Sequence, residues 1–399
     1  MVVCPPRAVV SLVAVSAAGP APIQLRMVES KEIAASLAES LHGGPPIAPL
    51  PLDPVERAGA IAMLQPGQPV TEADAGAVIA TSGSTGAPKG VVLPRAAIRA
   101  SVEATHHRLG GAGDWVLALP GHYVAGFMVL ARACVAGTRA MRVSSDLNDL
   151  PQVLGGLSAR RYISVVPAQL DRALRRPELS EALASFNSVL VGGGPANPEL
   201  VERATALGIR AVTTYGMSET CGGCVYNGQP LDGVDVELTK DGRIMISSRS
   251  LFSGYRLRPD LTAAALVDGS FRTQDRGRWQ AGRLVVLGRT DDIVITGGHK
   301  VDLGEVEGCV QRWASERHAC AVVLGIPDAV WGALIIAVSD LACSLEDLQA
   351  AVCPSLPGYA LPRELIHLDP LPLLPSGKPD RVAIESMIMK TPAKRRAPV

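Results

Sequence analysis

The chain has 399 residues, of which 47% are hydrophobic, and its 38 Lys plus Arg are balanced by 38 Asp plus Glu. That length and apolar content predict two domains with a large core, and the zero net charge excludes a global field drawing the chain to nucleic acid or an anionic membrane. Eight cysteines scattered over so long a chain exclude a disulfide scaffold and fit a reducing, cytoplasmic setting.

In chain order, the apolar run at 8–18 has only Arg7 as a positive flank and falls far short of the ~20 residues a membrane helix needs. It reads as a buried strand opening the first domain. The Pro-rich stretch 45–54 reads as an irregular surface connection. Strand-like runs at 77–81, 164–168, 188–193 and 210–216 alternate with helical periods at 94–109 and 197–208, the second with Asn197 as N-cap and Gly208 as C-cap. The alternation predicts an α/β fold of layered, mostly parallel sheets. From 231 to 287, short alternating strands broken by Gly turns predict a small β subdomain. The pattern then restarts with IVITGG, a helix in GEVEGCVQRWASE and strands in ACAVVLGIP and ALIIAVS, which predicts a separate α+β module.

The most informative stretch is TSGSTGAPKGVV, from Thr81 to Val92. Gly83, Gly86 and Gly90 permit close backbone approach, Thr81, Ser82, Ser84 and Thr85 supply hydroxyls, and Lys89 supplies a positive charge, a composition suited to wrapping a polyphosphate. Lys89 follows Pro88 and precedes Gly90, so the GxxxxGK[ST] pattern of P-loop kinases and motors is excluded. A plain Ser/Gly linker is the bland alternative, disfavoured because the loop lies between two strand-like runs. Cys221 and Cys224 form a CxxC with no second pair or histidine partners, so chance spacing is the better reading.

TSGSTGAPKG resembles the signature loop of the adenylate-forming superfamily, which includes acyl-CoA synthetases. YGMSET at 215–220, TQD at 273–275, GRTDDIVITGG at 288–298 and PSGKPDR at 375–381 resemble that superfamily's further elements, in order and across most of the chain. The resemblance implies an N-terminal domain over 1–288 for ATP and acyl group, a hinge over 289–292, and a mobile C-terminal domain over 293–399. It implies ATP and magnesium as cofactors and CoA as co-substrate. Lys89 and Ser218, here in place of the usual threonine, would bond phosphate, and Glu219 would hold magnesium. Tyr215 and Gly216 would lie against adenine, and Gly192, Gly193 and Gly194 would form the opposite wall. Asp275, assisted by Arg289, would bond the ribose hydroxyls, Gln274 replacing the usual glycine between Thr273 and Asp275. Lys378 would bring charge to the reacting carboxylate and α-phosphate, Asp291 would be the hinge, and Gly297 and Gly298 would line the passage for the CoA thiol. For these glycines an ordinary turn is the competing reading.

The segments 119–138, 164–170 and 191–208 are similar to o-succinylbenzoate-CoA ligases of menaquinone biosynthesis. In such an enzyme His122 would border the acyl pocket and take part in catalysis. The second, aromatic carboxylate of that acid would need a cation, for which Arg132 is a candidate that no motif announces. Another small aryl- or acyl-CoA ligase, or an acyl-AMP ligase, is the alternative enzyme reading. An inactive nucleotide-binding scaffold is the non-enzyme one, opposed by the joint presence of Lys89, Glu219, Asp275, Arg289 and Lys378. The expected partners are a small carboxylic acid, ATP and CoA, with no nucleic acid and no membrane span, and family habit suggests a homodimer.

Overall fold

The computed structural model describes residues 23–72, 74–81, 88–194, 197–317, 319–373 and 379–390. The apolar run at 8–18 lies outside them, as do Ser82, Gly83, Ser84, Thr85, Gly86 and Lys378. Among the described residues, no helix is long and apolar enough to cross a membrane.

A seven-stranded sheet forms the centre, and its five strands from Ala140–Arg142 through Asp114–Leu117, Arg161–Val165 and Ser188–Val191 to Ala211–Met217 run parallel. Gly222–Tyr226 and Gln229–Pro230 extend it antiparallel. Its strands are apolar on both faces because both are covered. Trp115 and Leu117 face one core with Phe127 and Tyr162, while Val116 faces a second with Ile163 and Phe186, as strand alternation requires. A five-stranded sheet packs beside it, with Ala75–Thr81 and Lys89–Pro94 as an antiparallel pair whose connection is the phosphate loop. A third sheet holds Val234–Leu238, Arg243–Ser248, Ser270–Gln280 and Arg283–Arg289, the expected β subdomain.

Every strand of the fourth sheet lies between Ile293 and His367, and helix Leu303–Glu316 covers it around a core that includes Val310, Trp313 and Val323. Asp302 caps that helix by accepting from Gly304 N at 2.9 Å. The same carboxylate receives Arg276 Nη2 of the β subdomain at 2.7 Å.

Most predicted elements form within a residue or two of expectation. Asn197 accepts from Glu199 N at 3.0 Å to cap Pro198–Ala206, and Gly208 follows that helix at φ 77°. Three readings need correction. The Pro-rich stretch is not an irregular surface connection: Ile47–Pro49 is a wholly buried parallel strand between Arg26–Val28 and Ala75–Thr81, and Asp53 caps a helix from Pro54. Its prolines flank or end the strand, where no ladder donor is lost. The run at 164–168 turns helical at Pro167, because proline is pre-organised for a first helical turn. Finally, Gly254–Tyr255 leaves the β subdomain to pair with Lys89–Pro94.

Candidate active site

Strands ending at Val165, Val191 and Met217 bring their carboxyl ends to one edge of the central sheet, the edge where open α/β folds bind ligands. Gly192 follows there, and a Cβ on it would collide with Thr214 Oγ1 of the neighbouring strand; Gly193 takes φ 81°. Close approach of the Thr214 hydroxyl favours glycine at 192 and the positive φ favours it at 193, whereas Gly194 has open space around its Cβ position. Gly216 packs onto the Gly222 carbonyl so closely that no side chain fits.

The YGMSET segment ends its strand in a tight turn at Ser218–Thr220. Thr220 Oγ1 holds it, accepting from Met217 N at 2.9 Å and donating to Gly222 O at 2.7 Å. The turn presents Glu219, whose Oε1 accepts from Tyr255 Oη at 2.8 Å. Tyr255 also offers its ring face to the Lys89 ammonium, 5.1 Å from the centroid. Burial raises the Glu219 carboxyl above its ordinary range, against the pull of the Tyr255 bond and of Lys89. Thr81 Oγ1 donates to Lys89 O at 3.3 Å, closing the base of the phosphate loop. Ser218 is buried within the same turn.

Asp275 lies across from this turn. Tyr215 Oη donates to Asp275 Oδ2 at 2.7 Å, and Arg289 Nη1 stands 3.7 Å from Oδ1. Burial raises this carboxyl too, with the Tyr215 bond and Arg289 working against the rise. Arg289 forks onto Asp291 through Nε and Nη2, both at 2.8 Å, so the expected ribose and hinge residues share one guanidinium. The sequence reading placed Tyr215 against adenine by its ring; the bond from its hydroxyl to Asp275 was not foreseen.

His122 precedes helix Val124–Ala136, its ring 4.2 Å from that of Tyr123. It is 6% exposed, its Nε2 has no hydrogen-bond partner among the described residues, and burial depresses its pKa to about 4. Further along that helix Arg132 is 3% exposed, with its guanidinium 4.9 Å over the Trp115 ring and its Nε without a partner. A Cβ placed on Gly222, just past the Glu219 turn, would lie 3.9 Å from Arg132 Nη2. Cys221 and Cys224 are free and buried thiols, and burial pushes Cys224 up to about 12.

Gly297 and Gly298 form the turn between Ile293–Thr296 and His299–Asp302 with φ of 54° and 80°, as a two-residue hairpin turn demands. Gly297 also sits under the Trp331 ring, 2.9 Å from where its Cβ would be. A turn requirement therefore accounts for both glycines without any ligand.

Among the described residues no three His, Cys, Asp or Glu side chains group to hold a metal. A single carboxylate on a turn, disfavoured by burial, instead fits magnesium held jointly with nucleotide phosphates, since that ion retains much of its shell and takes one or two protein carboxylates. A desolvated Glu219 past the carboxyl edge of a parallel sheet, with Lys89 near it and a desolvated Asp275 held by Tyr215 and Arg289, belongs to a nucleotide-binding α/β enzyme. The chain belongs to the AMP-binding enzyme family, which it matches over residues 7–256. It is 41% identical over 347 residues to a "Probable 2-succinylbenzoate--CoA ligase" of Mycobacterium tuberculosis, covering 83% of this chain and 89% of the relative. A "2-succinylbenzoate--CoA ligase" of Listeria monocytogenes is 30% identical over 77% of this chain and 69% of its own length. Among solved structures, the O-succinylbenzoate Coenzyme A Synthetase from Bacillus subtilis, in complex with ATP and magnesium ion, superposes with a TM-score of 0.69 at 26% identity. That superposition covers 78% of this chain and 70% of the other.

Proposed function

We propose that the chain is an AMP-forming 2-succinylbenzoate–CoA ligase. In the first half-reaction the aliphatic carboxylate of the acid attacks the α-phosphate of ATP, a carboxylate–phosphorus bond forms, and pyrophosphate leaves. In the second, the CoA thiolate attacks the acyl carbon and AMP leaves. Both substrates of the first step are anionic, so catalysis is largely placement of positive charge and donors.

Lys89 and the phosphate loop hold the polyphosphate, Tyr255 orients Glu219, and Glu219 holds magnesium. When bound, that ion offsets charge on the phosphate oxygens. Asp275 accepts from the ribose hydroxyls while Tyr215 and Arg289 fix its carboxylate. Neutral His122, its Nε2 buried, borders the acyl group. Lys378 is assigned the mobile charge at the α-phosphate, the chain dividing at 289–292 into an N-terminal domain over 1–288 and a mobile C-terminal one over 293–399.

The observation that carries the choice of acid is Arg132. Among the described residues no carboxylate pairs with this buried guanidinium, which is costly, and an anion delivered beside it would relieve that cost. The aromatic carboxylate of 2-succinylbenzoate is such an anion. Pyrophosphate release with ATP, magnesium and CoA across a panel of acids, with mass analysis of the thioester, tests the reading. A CoA thioester of 2-succinylbenzoate is expected, and turnover confined to monocarboxylic acids would reject it.

A further inference from the structure

Successive residues of strand Ser270–Gln280 point to opposite sides. Asp275 turns toward Tyr215, whereas its neighbours Gln274 and Arg276 each grip a segment beyond residue 288. Thr290 Oγ1 donates to Gln274 Oε1 at 2.8 Å and to Gln274 O at 3.1 Å. Arg276 Nη2 donates to Asp302 Oδ2 at 2.7 Å, an ion pair with side chains only 24% and 11% exposed. Such a pair is screened less than a surface bridge. Asp302 is itself fixed as the cap of helix Leu303–Glu316, so the pull of Arg276 acts on a rigid element. Strand and cap approach so closely that a Cβ on Gly288 would lie 2.9 Å from Asp302 Oδ1.

We propose that Arg276 and Gln274 are positioning residues: Arg276 ties the C-terminal module, in the orientation seen here, to the strand that carries Asp275, and Gln274 holds the hinge residue Thr290 to the same strand. The proposal rests on the ligase reading and adds to it a device of this chain, in which glutamine stands where the superfamily pattern has glycine. On the ligase reading Asp275 contacts the nucleotide from one face of the strand, while the other face holds the module in the orientation seen here, which the proposal assigns to adenylation. For the module to turn about 289–292 for thioester formation, the Arg276–Asp302 pair must break, and the bonds that Thr290 makes to Gln274 restrain the hinge itself. They therefore bias the balance between the two orientations.

The test uses the full chain with Gln274→Ala and Arg276→Ala combined. ATP–pyrophosphate exchange reports the first half-reaction, and thioester formation from supplied acyl-adenylate reports the second. Loss of the latch should slow exchange by about tenfold, the weight of a charged hydrogen bond, and leave the second half-reaction unchanged or faster. Arg276→Lys alone, which keeps the charge, should restore most of the exchange rate. Trypsin should cleave after Arg289 faster in the double variant than in the native chain, a readout that needs no acid substrate. Equal loss in both half-reactions, or unaltered exchange and unaltered cleavage, would overturn the latch. Should the native chain reject 2-succinylbenzoate, exchange is run with the acid it does accept, so the substrate reading fails separately from the latch.

Discussion

Tyr215, Asp275 and Arg289 act as one unit, because two donors approach a carboxylate whose pKa burial raises. Asp275→Ala should weaken ATP binding by about 1 to 3 kcal/mol for each ribose bond lost, read from the ATP dependence of pyrophosphate release. Arg132 is a different case, since among the described residues no carboxylate pairs with it. Arg132→Met should leave thermal stability unchanged or raised, because a buried unpaired cation gives way to an apolar side chain of similar reach. The same variant should reduce kcat/KM for 2-succinylbenzoate by about a hundredfold, yet scarcely affect an analogue lacking the ring carboxylate. Loss of equal size for both acids would remove Arg132 from the pocket. His106 and His122 are both depressed from 6.5 to about 4 by burial, His106 further by Arg132. The unfolded chain takes up those protons near pH 6.5 and the folded protein only near pH 4, so stability is full above pH 6.5 and falls as pH drops through that window. Thermal unfolding across pH 4 to 7 checks this, and His106→Gln should flatten the slope.

At the scale of elements, the site depends on strands that cross between layers. The two-residue strand Gly254–Tyr255 departs from the β subdomain, pairs with Val91 and Val92, and so brings Tyr255 between Lys89 and Glu219. No periodicity marks so short a strand, which is why Tyr255 was missed while Glu219, inside a distinctive motif, was found. Tyr255→Phe removes the donor to Glu219 and should raise the magnesium concentration for half-maximal pyrophosphate release several-fold. An unchanged magnesium titration would take Tyr255 out of that role. The stretch 45–54 was misread for a related reason: proline density signals irregularity locally, whereas pairing with a distant strand decides that Ile47–Pro49 is buried.

For the whole molecule, the proposed division at 289–292 makes the strongest demand. Lys378→Ala should cut adenylation by several orders of magnitude and leave thioester formation from supplied acyl-adenylate nearly intact; equal losses would reject the alternation of orientations. The α/β class, the short strands of the third sheet and those of the fourth were legible in the sequence, because hydrophobic period and glycine turns are local properties. Contacts between segments far apart in the chain were not: the Tyr215 bond to Asp275, the Tyr255 bridge between Lys89 and Glu219, the grip of Gln274 and Arg276, and the isolation of Arg132 over Trp115. Each depends on which side chains the packed layers bring within about 3 to 5 Å, and on how much water they exclude there. That is set by the summed burial of the cores, so only the tertiary structure decided it.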